Sequence, residues 1–169
     1  SGALRSFVDA SPDDALILAS VAQHSAFRVE RGLDARTVAF CDLVRDADKV
    51  DILRVNCENT PMTILGAPGA EFLASGFSRP ALQAFAERRC IARDERREPA
   101  DQLLGMVCFV FELVYPESLR IVREQGYLDR LLRCPFGVAE PFARADARAA
   151  WARVGREVEA WMDGRLRSS

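Results

Sequence analysis

The sequence predicts an all-α protein of six or seven helices, and three observations carry that prediction. No run sustains period-2 alternation, and no Asn-Gly or Asp-Gly turn joins β-branched segments, so strands and hairpins leave no signal. Helix punctuation, in contrast, recurs at Ser11-Pro12-Asp13-Asp14, Ser78-Arg79-Pro80 and Pro116. The C-terminal stretch spaces Trp151, Val154, Val158 and Trp161 by three and four residues, which places them on one helical stripe among arginines.

Ser11 to Asp14 combine an N-cap, a first-turn proline and two acids that complement the helix dipole, so a first helix should run to about His24. Gly32-Leu33-Asp34 breaks the chain and caps a second helix, about 35 to 56. Residues 56 to 78 carry Pro61, Gly66, Pro68, Gly69 and Gly76 and read as loop. A helix from about 80 to 90 follows, then the charged link Arg93 to Pro99, then a core helix from about 100 to 115. Pro116 restarts a helix that ends at Gly126. YLDRLLRC supplies one or two amphipathic turns, Pro135 to Gly137 closes them, and a last helix covers about 140 to 165. Without repeats, low-complexity tracts or a second composition, residues 1–169 read as a single all-α domain.

Composition narrows the function classes. The chain of 169 residues is 49% hydrophobic and 28% charged with a formal net charge of -2, so no polyanion-binding footprint is present and nucleic acid is not an expected partner. Five scattered cysteines without CxxC spacing favour free thiols and a cytoplasmic setting. The most apolar run, residues 103 to 115, has 13 residues with Glu112 inside it, whereas a bilayer span needs about 20. No membrane association is expected, and SGALRSFVDA lacks the regions of a signal peptide.

The second helix poses a physical question. Rotating residues 37 to 55 by about 100° each puts Cys41, Val44, Asp48, Ile52 and Val55 on one stripe with Asp48 at its centre. The same rotation groups Asp42, Arg45, Asp46 and Lys49 on another face, where they read as solvated charges, and leaves Asp51 on the shoulder. An ionised carboxylate on a buried stripe needs a cation, a hydrogen-bond network or a metal. A buried ion pair with one of the many arginines, or a helix edge, answers the requirement as well as a metal does.

The run Arg45-Asp46-Ala47-Asp48-Lys49-Val50-Asp51 resembles the RDADKxD signature of bacterial HD-domain proteins, a superfamily of metal-dependent phosphohydrolases. The likeness extends to Gln23-His24-Ser25 and to FVFELVYPESLRIVREQGYLDRLL, residues 109 to 132, and so covers most of the chain. It implies an HD-domain-like helical bundle whose divalent metal ion is held by a histidine, a His-Asp pair and a distal aspartate. Asp48 matches the distal aspartate, with Asp46 as second choice. This chain has no His-Asp dipeptide, and His24 is its one histidine. The expectation is therefore the C-terminal part of an HD domain, lacking the other ligands, with metal binding weak or absent in this chain alone.

The resemblance also frames the remaining candidates. His24 is read either as a capping histidine or as a catalytic group facing a substrate phosphate or second metal. Arg28, Arg45 and Lys49 are candidate phosphate contacts through their guanidinium and ammonium groups, against a reading in which Arg45 and Lys49 are solvated beside Asp42 and Asp46. Glu112 is expected to pair with an arginine. A complete site would hydrolyse the phosphoester of a small phosphorylated metabolite or nucleotide, its metal acidifying a bound water. The rival is a non-catalytic helical interaction module whose Trp151 to Trp161 stripe serves a partner or a homodimer.

Overall fold

A computed structural model describes residues 3–66 and 68–168. Every regular element among them is helical: nine α-helices and four short 3-10 turns. The helices are α1 Asp14–Gln23, α2 Ala35–Glu58, α3 Pro61–Leu65, α4 Gly69–Ala74, α5 Arg79–Ala86, α6 Ala100–Cys108, α7 Pro116–Gln125, α8 Tyr127–Arg133 and α9 Ala145–Arg167. The chain packs as two compact units, Ser1–Asp48 and Lys49–Ser169, so the division falls inside α2.

The first unit is built mainly from polar contacts. Ser11 Oγ accepts from the Asp13 amide, and Asp14 accepts from the Ser11 amide at 3.2 Å, so the predicted cap operates as a reciprocal pair before α1. Asp34 opens α2: its carboxylate accepts from the Arg36 and Thr37 amides and from the Thr37 hydroxyl at 2.6 Å. Arg36 pairs with Asp13 at 2.7 Å, and Arg5 pairs with Asp14. Among the described residues, Leu16 and Cys41 are the buried apolar side chains of this unit.

The second unit holds a large apolar core centred on α6, whose Ala100, Leu103, Leu104, Val107 and Cys108 are fully buried. α6 packs on α4 and α5, and α7 packs on α8 and α9. Asp101, buried at the start of α6, is satisfied by the amides of Ser78, Arg97 and Glu98, each at 2.9 Å. Gly126 takes φ 70 and so ends α7 and starts α8 with one left-handed residue, a conformation that suits glycine. The α9 stripe docks inside this unit. Trp151 stacks on Phe77 at 5.7 Å, meets Phe142 edge-on at 5.5 Å and donates from Nε1 to the Leu132 carbonyl, while Trp161 meets Phe111 at 5.0 Å.

The expected helices are present, with four differences, the first being that the helix expected from about 80 to 90 ends at Ala86. The expected loop from 56 to 78 contains α3 and α4, because Thr60 caps Pro61–Leu65 through its hydroxyl and Pro68 enters Gly69–Ala74. These two raise the count above six or seven. The core helix expected to run to 115 ends at Cys108 and continues as a 3-10 turn, Phe109–Glu112. The helix expected from 140 begins at Ala145.

Candidate functional site

The face that α2 buries is not the face its hydrophobic pattern suggests. Arg45 is 8% exposed, Asp46 1% and Lys49 7%, and the buried set Cys41, Arg45, Asp46, Lys49, Val50, Leu53 and Asn56 lies roughly a third of a turn from the expected stripe. The expectation of a solvated Arg45, Asp46 and Lys49 face is thereby overturned. Asp48 moves from the expected centre to the shoulder and is half-buried. Asp51 is exposed and accepts from Arg54 at 2.8 Å.

Arg45 and Lys49 each find a partner in their own unit. The Arg45 guanidinium donates to the carbonyl of Gln23 at 3.3 Å and to that of Ala26. Those carbonyls flank His24, so Arg45 fixes the end of α1 against α2. Lys49 lies 3.6 Å from Glu112 as an ion pair in the second unit. Beside that pair sit two buried thiols. Cys90 donates to the Cys108 carbonyl at 3.8 Å, and burial pushes both thiols up, Cys108 to about 12. Such thiols are unreactive in the folded state.

The remaining candidates stand in the open. His24 is exposed at the end of α1, with Nδ1 2.7 Å from the Val21 carbonyl. A carbonyl can only accept, so that contact places a proton on Nδ1 and leaves Nε2 as the ring nitrogen not engaged there. Arg28 is exposed. The Asp48 carboxylate makes no hydrogen bond or ion pair among the described residues. Asp48 follows Arg45 by three residues, so the His24 segment is tied to α2 within one turn of Asp48.

A resident metal needs more than these residues provide. Among the described residues, no three histidine, cysteine, aspartate or glutamate side chains group as a metal site, whereas a catalytic site generally takes three protein ligands and an open position. His24 and Asp48 supply two at most. The missing group could not have been found by spacing, because the sequence holds one histidine. Sequence reasoning did miss the partners that answer Arg45, since backbone carbonyls carry no residue signature. No helix is long and apolar enough to cross a membrane among the described residues, and all five cysteines are free. No protein-family model, no curated protein and no solved structure matches the chain.

Proposed function

We propose that this chain is part of a metal-dependent phosphohydrolase of the HD-domain type, acting on a small phosphorylated metabolite or nucleotide. One observation supports the reading: within RDADKVD, Asp48 is the acid left half-buried and without a partner among the described residues, while its neighbouring charges are engaged. An acid held at a protein surface in that state is a ready ligand for a hard cation. His24 supports the same reading, because a histidine ligand ordinarily donates its other ring N–H to a carbonyl, and Val21 accepts in that way here.

In this proposal Asp48 contributes one ligand, His24 presents Nε2, and Arg28 is the exposed cation available to a phosphate. Arg45 acts by positioning the His24 segment. Lys49 is engaged by Glu112 and is a weaker phosphate contact than its sequence position suggests. The further ligands would have to come from outside these 169 residues, so no hydrolytic step is assigned to the residues present.

The test is a titration of the purified chain with Mn²⁺, read by paramagnetic broadening of amide resonances, alongside a generic phosphoester assay. Weak binding centred on Asp48 and His24, lost in Asp48→Asn and retained in Asp51→Asn, is the expected outcome, with little turnover by the chain alone. Broadening spread evenly over the surface acids, or unchanged by Asp48→Asn, would remove the reading.

The interaction-module reading has one observation in its favour, and it is not α9, whose stripe is buried. The first unit exposes Phe7, Val21, Phe27 and Leu43 at more than half of their surface, with Phe7 at 85%. Apolar side chains as open as these are what a docked partner would cover.

A further inference from the structure

A slot of about 540 Å³ opens in the second unit beside α4. Gly69, Ala70 and Ala74 of α4 line it together with Phe136, Val138 and Pro141 from the chain that follows α8. Its shape is set by fixed contacts. A Cβ at Gly69 would stand 3.1 Å from Pro61 Cγ and 3.4 Å from Phe136 Cβ, so glycine is what lets these two side chains close on the start of α4. Phe136 in turn packs on Phe72 of α4, with ring centroids 5.8 Å apart. The Ala143 amide donates to the Leu73 carbonyl at 3.1 Å and so ties the segment before it to the same helix.

Phe136 holds φ 55, a left-handed conformation that is costly for a bulky residue and persists where its surroundings impose it. Strain of this kind concentrates at ligand-holding positions. The rest of the lining is stiff as well. Proline, glycine and alanine have no side-chain rotamer freedom to lose, so a ligand meets a preformed surface that costs little to order. That surface can be reached from outside: Ala70, Ala74 and Val138 are exposed, and Pro61, Phe136 and Pro141 are half-buried.

Charge selects among apolar ligands. Glu140 is the one charged residue of the lining; it is exposed and makes no hydrogen bond or ion pair among the described residues. Arg133 and Arg148 border an adjoining cleft with Glu140, but Asp129 holds the first and the Phe142 and Ala143 carbonyls hold the second. A cation therefore finds a counter-charge at the slot, and an anion finds repulsion. The volume lies inside the usual range of small-molecule pockets, about 300–1,000 Å³.

We propose that this slot binds a small aromatic ammonium compound, its ring against Phe136 and the two prolines and its charge beside Glu140. The proposal is independent of the Asp48 reading. It is tested on the full chain by titration with benzylammonium, benzyl alcohol and benzoate, which share a ring and differ in charge, read as amide shifts at residues 69–74 and 136–143. Saturable shifts with benzylammonium are expected, about two- to fivefold tighter than with benzyl alcohol, as for an exposed charge pair, with benzoate the weakest. Glu140→Gln should erase the margin between the first two and leave benzyl alcohol unchanged. Ala74→Trp should fill the slot and abolish the shifts of all three. Ala74 is exposed, so that variant should fold, and Ala70→Trp is a second plug of the same kind. Benzoate binding as tightly as benzylammonium, or a margin that survives Glu140→Gln, would overturn the proposal. Shifts that never saturate, or that persist in both plugged variants, would show contact with an open surface and would equally overturn it.

Discussion

The two units are held together by different physics. In the second, α6 is buried on all sides and the aromatic rings of Phe77, Phe85, Phe111, Phe142, Trp151 and Trp161 form successive contacts. In the first, two buried apolar side chains are accompanied by buried Ser20, Thr37, Arg45 and Asp46. Burial of apolar area scales with the number of such side chains, so stability should concentrate in the second unit. The groups proposed to do chemistry, Asp48 and His24, stand in the first. Low local stability and exposed polar groups commonly accompany binding function, because surfaces that engage ligands cannot also be fully engaged internally.

The largest effect should follow from removing a ring from the second unit. Trp151→Ala deletes the contacts with Phe77 and Phe142 and the hydrogen bond to Leu132, and large-to-small changes at such sites cost about 3–5 kcal/mol. Urea unfolding followed by circular dichroism measures it. A loss under about 1 kcal/mol would mean that the second unit is not the stable one, and the contrast would fail.

A smaller effect, confined to the first unit, should follow Arg45→Met. The side chain keeps its length while the hydrogen bonds to Gln23 and Ala26 disappear, and bonds from a charged donor contribute about 1.5–3 kcal/mol. Cys41, fully buried one turn before Arg45, reports the opening, and Cys108, fully buried in the second unit, is the internal reference. Alkylation of Cys41 should accelerate roughly ten- to a hundredfold while that of Cys108 stays unchanged. Equal acceleration at both thiols would show that the two units open as one.

The same contrast explains what could be read from the sequence. Helices with strong punctuation are legible: α1 and α7 lie close to their expected spans and α5 starts at its expected position, because prolines, a capping serine and Gly126 mark them. α3 and α4 were hidden because proline and glycine at 61, 66, 68 and 69 signal loop as readily as they signal helix ends. The rotation of α2 was illegible for a different reason. Val38, Phe40, Cys41, Leu43, Val44, Val50, Ile52, Leu53 and Val55 are distributed around the whole helix, so no apolar side stands out. Its orientation follows polar groups that find partners on other elements: Arg45 the carbonyls of Gln23 and Ala26, and Lys49 the Glu112 carboxylate. Asp48 lies on the shoulder of the buried face and has no partner among the described residues.

The smallest effect concerns acid. In the first unit Arg36 holds Asp13 below the usual carboxylate range, Arg5 does the same for Asp14, and the hydroxyl and amide of Thr37 do so for Asp34. A depressed folded pKa contributes stability above the unfolded value, 3.8 for these acids, and that contribution fades as pH falls through the folded value. In the second unit Glu95 is lowered from 4.5 to about 2 by the bidentate Arg89 and the Ala92 amide, so its contribution fades between those two values. The second unit can lose Glu95 and keep its apolar core, which does not titrate, whereas the first unit has little beside these carboxylates. Lowering the pH from about 5 to about 2.5 should therefore remove amide protection at Thr37 and Val38 while protection at Val107 persists. Simultaneous loss at both places would mean that the acids of the first unit are incidental to its fold, and that the apolar core stabilises α2 along its whole length.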